Sequence, residues 1–171
     1  KLIAFASDRF GNNDIFVIDA QGGEPRRLSY NSLSEIPQAF SPDGKYVYFT
    51  ANNQKPAVSA LYPGVLFELY RVAVEGGRAE QVLPTPAEAL SFASDGSMFL
   101  YQDRKGYEDV WRKHHTSSVT RDIWSYDTAT GKHTNLTSHP GEDLDPVMMS
   151  DGNTFYFLSE RNGGSMNVTV P

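Results

Sequence analysis

One phrase is written three times in this chain: AFSPDGKYVYFT at 39–50, SFASDGSMFLYQ at 91–102 and VMMSDGNTFYFL at 147–158. A second phrase keeps the same beat, as DIFVIDAQGGEPRRLS from Asp14, ELYRVAVEGGRAEQVL from Glu68 and DIWSYDTATGKHTNLT from Asp122. Ile15, Leu69 and Ile123 recur every 54 positions, as do Gly23, Gly77 and Gly131, and Leu28, Val82 and Leu136. The Asp-Gly pairs at 43–44, 95–96 and 151–152 lie 52 and 56 positions apart. A period of this length means that one supersecondary unit is copied, so the fold must be one that stacks copies.

Each unit reads as four short β segments. Ile36 to Phe40 carries apolar residues into a Ser-Pro-Asp-Gly turn, where Pro presets φ, Asp bonds its own backbone and Gly takes the left-handed position. Tyr46-Val47-Tyr48-Phe49 leaves the turn as an aromatic and β-branched run suited to a pleated surface. The DIFVID type of segment reads with period 2 up to a Gly, and Arg26-Arg27-Leu28 types a short fourth strand. No helical period competes. Four antiparallel strands every 40 to 50 residues or so identify β-propeller blades, and a sandwich or closed barrel would not predict the repeat. The units fall at approximately 1–35, 36–87, 88–143 and 144–171, about three and a half blades in one partial propeller. Rings typically close with about four to eight blades. The chain is therefore expected to be a piece of a larger propeller, or one half of a homo-oligomer that completes one. Its start, KLIAFAS without an initiator Met, reads as a strand already in progress and suggests a longer precursor.

Composition removes several classes of function. A net charge of −6, and no basic run longer than Arg112-Lys113, argue against nucleic acid as a partner. With no cysteine among 171 residues there is no disulfide, thiolate metal site or cysteine nucleophile. No apolar run reaches the roughly 18 residues that would insert into a membrane as a helix.

The pattern SPDGKYVYFTA followed by DIFVIDAQGGEPRRLS resembles TolB-like, WD-repeat-like blades, with SDRFGNNDIFVID (7–19) and SERNGG (159–164) supplying the middle part of that repeat. The stretch YEDVWRKHHTSSVTRDIWSYDTATGKHTNLTSHPGEDLDP (107–146) is similar to the N-terminal propeller of bacterial tricorn-like serine proteases. That resemblance implies a non-catalytic segment of a serine peptidase, guiding or gating peptides for catalytic domains outside these residues. The alternative it implies is a TolB-type protein-binding propeller of the cell envelope with no enzymatic partner domain. A propeller lyase acting on oligosaccharides ranks last, because only His114, His115, His133 and His139 are available for its metal. The resemblance implies a periplasmic or envelope setting, with the cytoplasm as the alternative. One departure is expected at the end: MNVTVP has Thr169 where Phe16, Tyr70 and Trp124 stand in the other copies, and Pro171 disfavours a strand.

Two sets of residues are candidates for binding a peptide or protein. Segment one of a blade lines the central channel, so Glu35, Glu88, Asp143 and Asp145 are expected near one mouth, where an acidic rim would favour cationic groups. Asp143 and Asp145, in GEDLDP, are expected on one side of a strand; the loop lacks the register of a calcium site. The second set is Arg112, Lys113, His114 and His115, in a long insertion between strands two and three. Adjacent histidines point to opposite sides of an extended chain, so no metal and no cofactor are expected. Ser117, His115 and Asp122 do not make a triad by sequence proximity, and no Gly-x-Ser-x-Gly elbow is present, so no catalytic residue is expected. Trp111 and Trp124 are expected to pack between blades.

Overall fold

The computed structural model describes residues 1–51, 67–106 and 117–161, together with the backbone of 166–170. Every regular element described is a β-strand. The chain divides into two compact units, Lys1–Pro86 and Ala87–Pro171.

The first unit opens with β1 (Leu2–Ser7), β2 (Asp14–Asp19) and β3 (Arg26–Arg27), paired in that order as an antiparallel sheet. A second sheet is built from β4 (Glu35–Phe40), β5 (Tyr46–Ala51), β6 (Glu68–Ala73) and the first half of β7 (Glu80–Phe92). The second unit repeats the plan. The later half of β7 pairs with β8 (Met98–Asp103), which pairs with β9 (Ile123–Asp127) and then β10 (His133–Asn135). Its other sheet is β11 (Asp143–Met148), β12 (Phe155–Ser159) and β13 (Met166–Val170). These are propeller blades of up to four antiparallel strands, as the repeat predicts.

The inner strands are covered on both faces, which explains their wording. In β5 every residue from Val47 to Ala51 is buried, and in β8 every residue from Phe99 to Gln102. The DIFVID strand was expected to alternate, yet Asp14 to Val17 are all buried in sequence. A strand with a packed layer on each side has no solvent face, so apolar residues occupy successive positions. In the first unit Ile15, Val17, Leu28, Val47, Phe49 and Val72 form one core; in the second, Leu100, Ile123, Phe155 and Phe157 form another. Removing a buried Phe of this kind costs about 3–5 kcal/mol.

The thrice-written turn is the same object each time. Gly44, Gly96 and Gly152 sit at φ 71, 74 and 70°, and their amides donate to Ser41, Ala93 and Met149 carbonyls at 2.9, 2.9 and 3.0 Å. Each preceding Asp accepts an amide two residues on, from Lys45, Ser97 and Asn153. The Ser41 hydroxyl first, and the Lys45 amide second, hold the Asp43 carboxyl below its usual range.

Strand one of three blades carries a bulge, between Pro37 and Ala39, Glu88 and Ser91, and Leu144 and Val147. Two of these bulges contain the non-glycine residues of positive φ among the described residues, Ala89 (51°) and Asp145 (49°). The extra residue bends the strand and re-aims the side chains beyond it. For this reason Asp143 and Asp145 do not share a side: Asp143 is buried and Asp145 exposed. The end of the chain also differs from expectation. Met166 to Val170 pair in register with Ser159 to Phe155, because the ladder asks only for backbone and Pro171 lies just past the last paired residue.

The turn geometry carries a test. A Cβ at Gly44 would meet nothing within 4 Å, so its only penalty is the left-handed backbone. Gly44→Ala is expected to lower unfolding free energy by about 1–2 kcal/mol, while Lys45→Ala stays within about 0.5 kcal/mol. Urea denaturation of the two variants checks this, and a neutral Gly44→Ala would contradict it.

Candidate functional site

The polar side chains gather where one blade hands the chain to the next. In the first unit the Ser29 hydroxyl accepts the Ile15 amide at 2.8 Å and donates to the Glu35 carboxylate. Glu35 is 1% exposed, and its own amide donates to the Asn13 carbonyl at 2.8 Å. Beside it the fully buried Asp14 carboxylate lies 2.6 Å from the Arg27 guanidinium, whose Nε donates to the Ser29 carbonyl at 2.9 Å. The rings of Phe10 and Tyr30 cover Arg27 at 4.7 and 4.5 Å. Arg27 thus neutralises Asp14 without itself being fully hydrated. Removing one partner of such a buried pair typically costs about 3–5 kcal/mol.

The same device returns 108 positions later. The Thr137 hydroxyl accepts the Ile123 amide at 2.9 Å, as Ser29 serves Ile15. Asp143, like Glu35, stands six residues after that hydroxyl and is 0% exposed. Here the acid is held by Arg161, at 3.0 Å, and its amide donates to the Arg121 carbonyl at 3.1 Å. A third group surrounds Asp122: Lys105 Nζ lies 2.6 Å from its carboxylate and donates to the Thr120 carbonyl at 2.8 Å. Asp103 accepts the Asp122 amide at 2.8 Å and the Trp124 indole N–H at 3.1 Å, so this tryptophan is tied into the network. Burial raises the Asp103 carboxyl above its ordinary range, and the neighbouring Asp122 adds to this.

The expected acidic residues therefore sit in different circumstances. Glu35 and Asp143 are inside, engaged by Ser29 and Arg161. Glu88 pairs with Arg104 at 2.8 Å on largely covered side chains. Asp145 is exposed, with its amide donating to the Gln102 side-chain oxygen at 2.9 Å. Arg112, Lys113, His114, His115 and Trp111 lie outside the described residues. Of the sequence-adjacent Ser, His and Asp, Ser117 accepts the Val119 amide in a turn and Asp122 is bound by Lys105. Among the described residues no three His, Asp or Glu side chains converge as a ligand set. The hydroxyls were not anticipated, although a Ser or Thr six positions before an acid, twice over, was a readable signal.

A sequence profile describing the tricorn protease N-terminal beta propeller domain matches residues 1–169. The chain belongs to this tricorn N-terminal propeller family. It is 29% identical over 162 residues to a Protein TolB homolog of Chlorobium chlorochromatii, covering 93% of this chain and 31% of that protein. Among solved structures, TolB from Acinetobacter baumannii superposes with a TM-score of 0.71 at 18% identity, over 98% of this chain and 38% of that one. The tricorn protease superposes with a TM-score of 0.60 at 18% identity, over 94% of this chain and 14% of that one. The chain spans under two fifths of the length of each of these relatives, so the tricorn-family propeller described here corresponds to only part of them.

Burial is the leading reason that Glu35 is raised above its ordinary value of 4.5; Asp14 adds to it, while Ser29, the Ile15 amide and Arg27 oppose it. A carboxyl raised by folding is favoured in its protonated form. Its stabilising contribution is complete below 4.5 and is lost as pH rises through the raised value. Glu35→Gln, which keeps the shape and cannot ionise, should therefore gain stability relative to the parent between pH 4.5 and neutrality. Paired unfolding curves across that interval test this, and a difference that stays flat with pH would contradict it.

Proposed function

We propose that the chain is a non-catalytic propeller segment of a tricorn-like serine peptidase, binding peptides and guiding or gating their passage to catalytic domains elsewhere. The observation that carries this reading is the match to the tricorn N-terminal propeller family along residues 1–169. The chemistry of the described residues agrees with it. Their clustered carboxylates are committed to arginine, lysine, hydroxyl and amide partners, an arrangement that fixes strand ends within and between blades rather than activates a nucleophile. In this reading Asp145, exposed on a bulge in strand one, meets a cationic group of a passing peptide.

A second reading is favoured by the TolB homolog: a protein-binding propeller of the periplasm or cell envelope with no enzymatic partner. Both readings make the partner a peptide or protein. No helix among the described residues is long and apolar enough to cross a membrane.

The test uses the 171-residue chain and a lysine-rich unstructured peptide followed by fluorescence anisotropy. Binding without cleavage is expected. Asp145→Lys should weaken it roughly three- to ten-fold at low salt, with the loss shrinking as salt rises. Glu24→Lys, on the exposed connection between β2 and β3, should leave it unchanged. Cleavage by the chain itself would overturn the non-catalytic assignment. Equal binding by parent and Asp145→Lys would remove Asp145 from the site, and capture of folded envelope proteins without peptide binding would favour the TolB-type reading.

A further inference from the structure

A cavity of about 300 Å³ opens in the first unit where the end of one blade meets the outer strands of the next. Its walls include Leu28, Tyr30, Tyr70 and Ala79, with Arg78 and Glu35 as the charged side chains. The volume is at the low end of ligand sites, enough for one large side chain and its flanking peptide units.

Three features make it more than a crease. The aromatic walls are fixed: the Tyr70 hydroxyl donates to Glu68, and its ring stacks on Phe49 at 5.8 Å. Tyr30 leans on the Arg27 guanidinium at 4.5 Å and is still 73% exposed. Rings held in place in the free protein lose little freedom on binding. Arg78 has no hydrogen bond or ion pair among the described residues, in a chain with 21 acidic and 15 basic side chains. A free cation at the mouth of an apolar cavity, against a negative background, selects an anion. Phe10, 61% exposed, shares the Arg27 guanidinium with Tyr30 at 4.7 Å, and Leu33, three residues on from Tyr30, is 43% exposed. Asn12 anchors that stretch by donating to the Asn31 and Leu33 carbonyls at 3.0 and 3.1 Å. An apolar patch running on from a one-side-chain cavity suits an extended segment better than a small metabolite.

We propose that this cavity receives an aromatic side chain from an internal, extended peptide segment of a partner protein, with a neighbouring carboxylate of that segment on Arg78. The cavity shares no residue with the proposed Asp145 contact and prefers the opposite charge, so it stands or falls independently of the cationic-peptide reading.

Blocked tetrapeptides provide the probe: acetyl-Gly-Phe-Asp-Gly-amide, its Asn counterpart and its Ala-Asp counterpart, titrated into the chain with NMR detection. The Phe-Asp peptide should bind at least about ten-fold more tightly than either control and shift resonances of Tyr30, Tyr70 and Arg78. Arg78→Gln should abolish the Asp-over-Asn preference while keeping the Phe-over-Ala preference. Tyr30→Ala should weaken both Phe peptides by roughly ten-fold. Comparing three peptides on the unaltered protein needs no variant to fold. Equal affinities, shifts confined to other residues, or a concentration-dependent dimer that covers Tyr30 would each overturn the proposal.

Discussion

The structure depends on one hydrogen bond that closes the end of a blade. A strand that begins between two packed sheets presents an amide with no ladder partner and no water. Left unpaired, such a group costs on the order of 1–3 kcal/mol. The chain meets this need with a hydroxyl from strand four, Ser29 for Ile15 and Thr137 for Ile123. The acid that starts the next blade, Glu35 or Asp143, lies six residues beyond the hydroxyl and is buried with it. The copy between them carries Leu83 at that position, paired with Leu69 in a strand that continues to Phe92.

Much of the fold was legible because repetition is a property of sequence. Gly44, Gly96 and Gly152 mark the same turn, and the runs around Tyr48, Leu100 and Phe157 mark the same inner strand. The features that were not legible have definite causes. Period 2 presumes one wet face, which Asp14 to Val17 do not have. The bulge at Asp145 reverses the side on which a residue falls, and nothing in GEDLDP announces a positive φ. Glu35, Glu88 and Asp143 are charged, and the sequence does not announce that their side chains are covered. Charge signals exposure only when no partner waits inside, and Arg161, Arg104 and Ser29 are such partners.

That distinction sharpens the functional reading. The acids of this propeller segment divide into those engaged by partners inside the blades and those exposed to solvent, and the proposed peptide contact calls on the second kind. Asp145 belongs to the exposed kind, and Arg78 with its two tyrosines is its counterpart of opposite sign.

The most direct measurement is native-state hydrogen exchange at the Ile15 amide in the parent and in Ser29→Ala, which removes the acceptor without adding bulk. The account predicts slow exchange in the parent and a rate more than about ten-fold faster in the variant, out of proportion to neighbouring ladder amides such as Val17. Unchanged protection of Ile15 would mean that the hydroxyl does not hold the junction, and the separation of engaged acids from exposed acids would lose its basis.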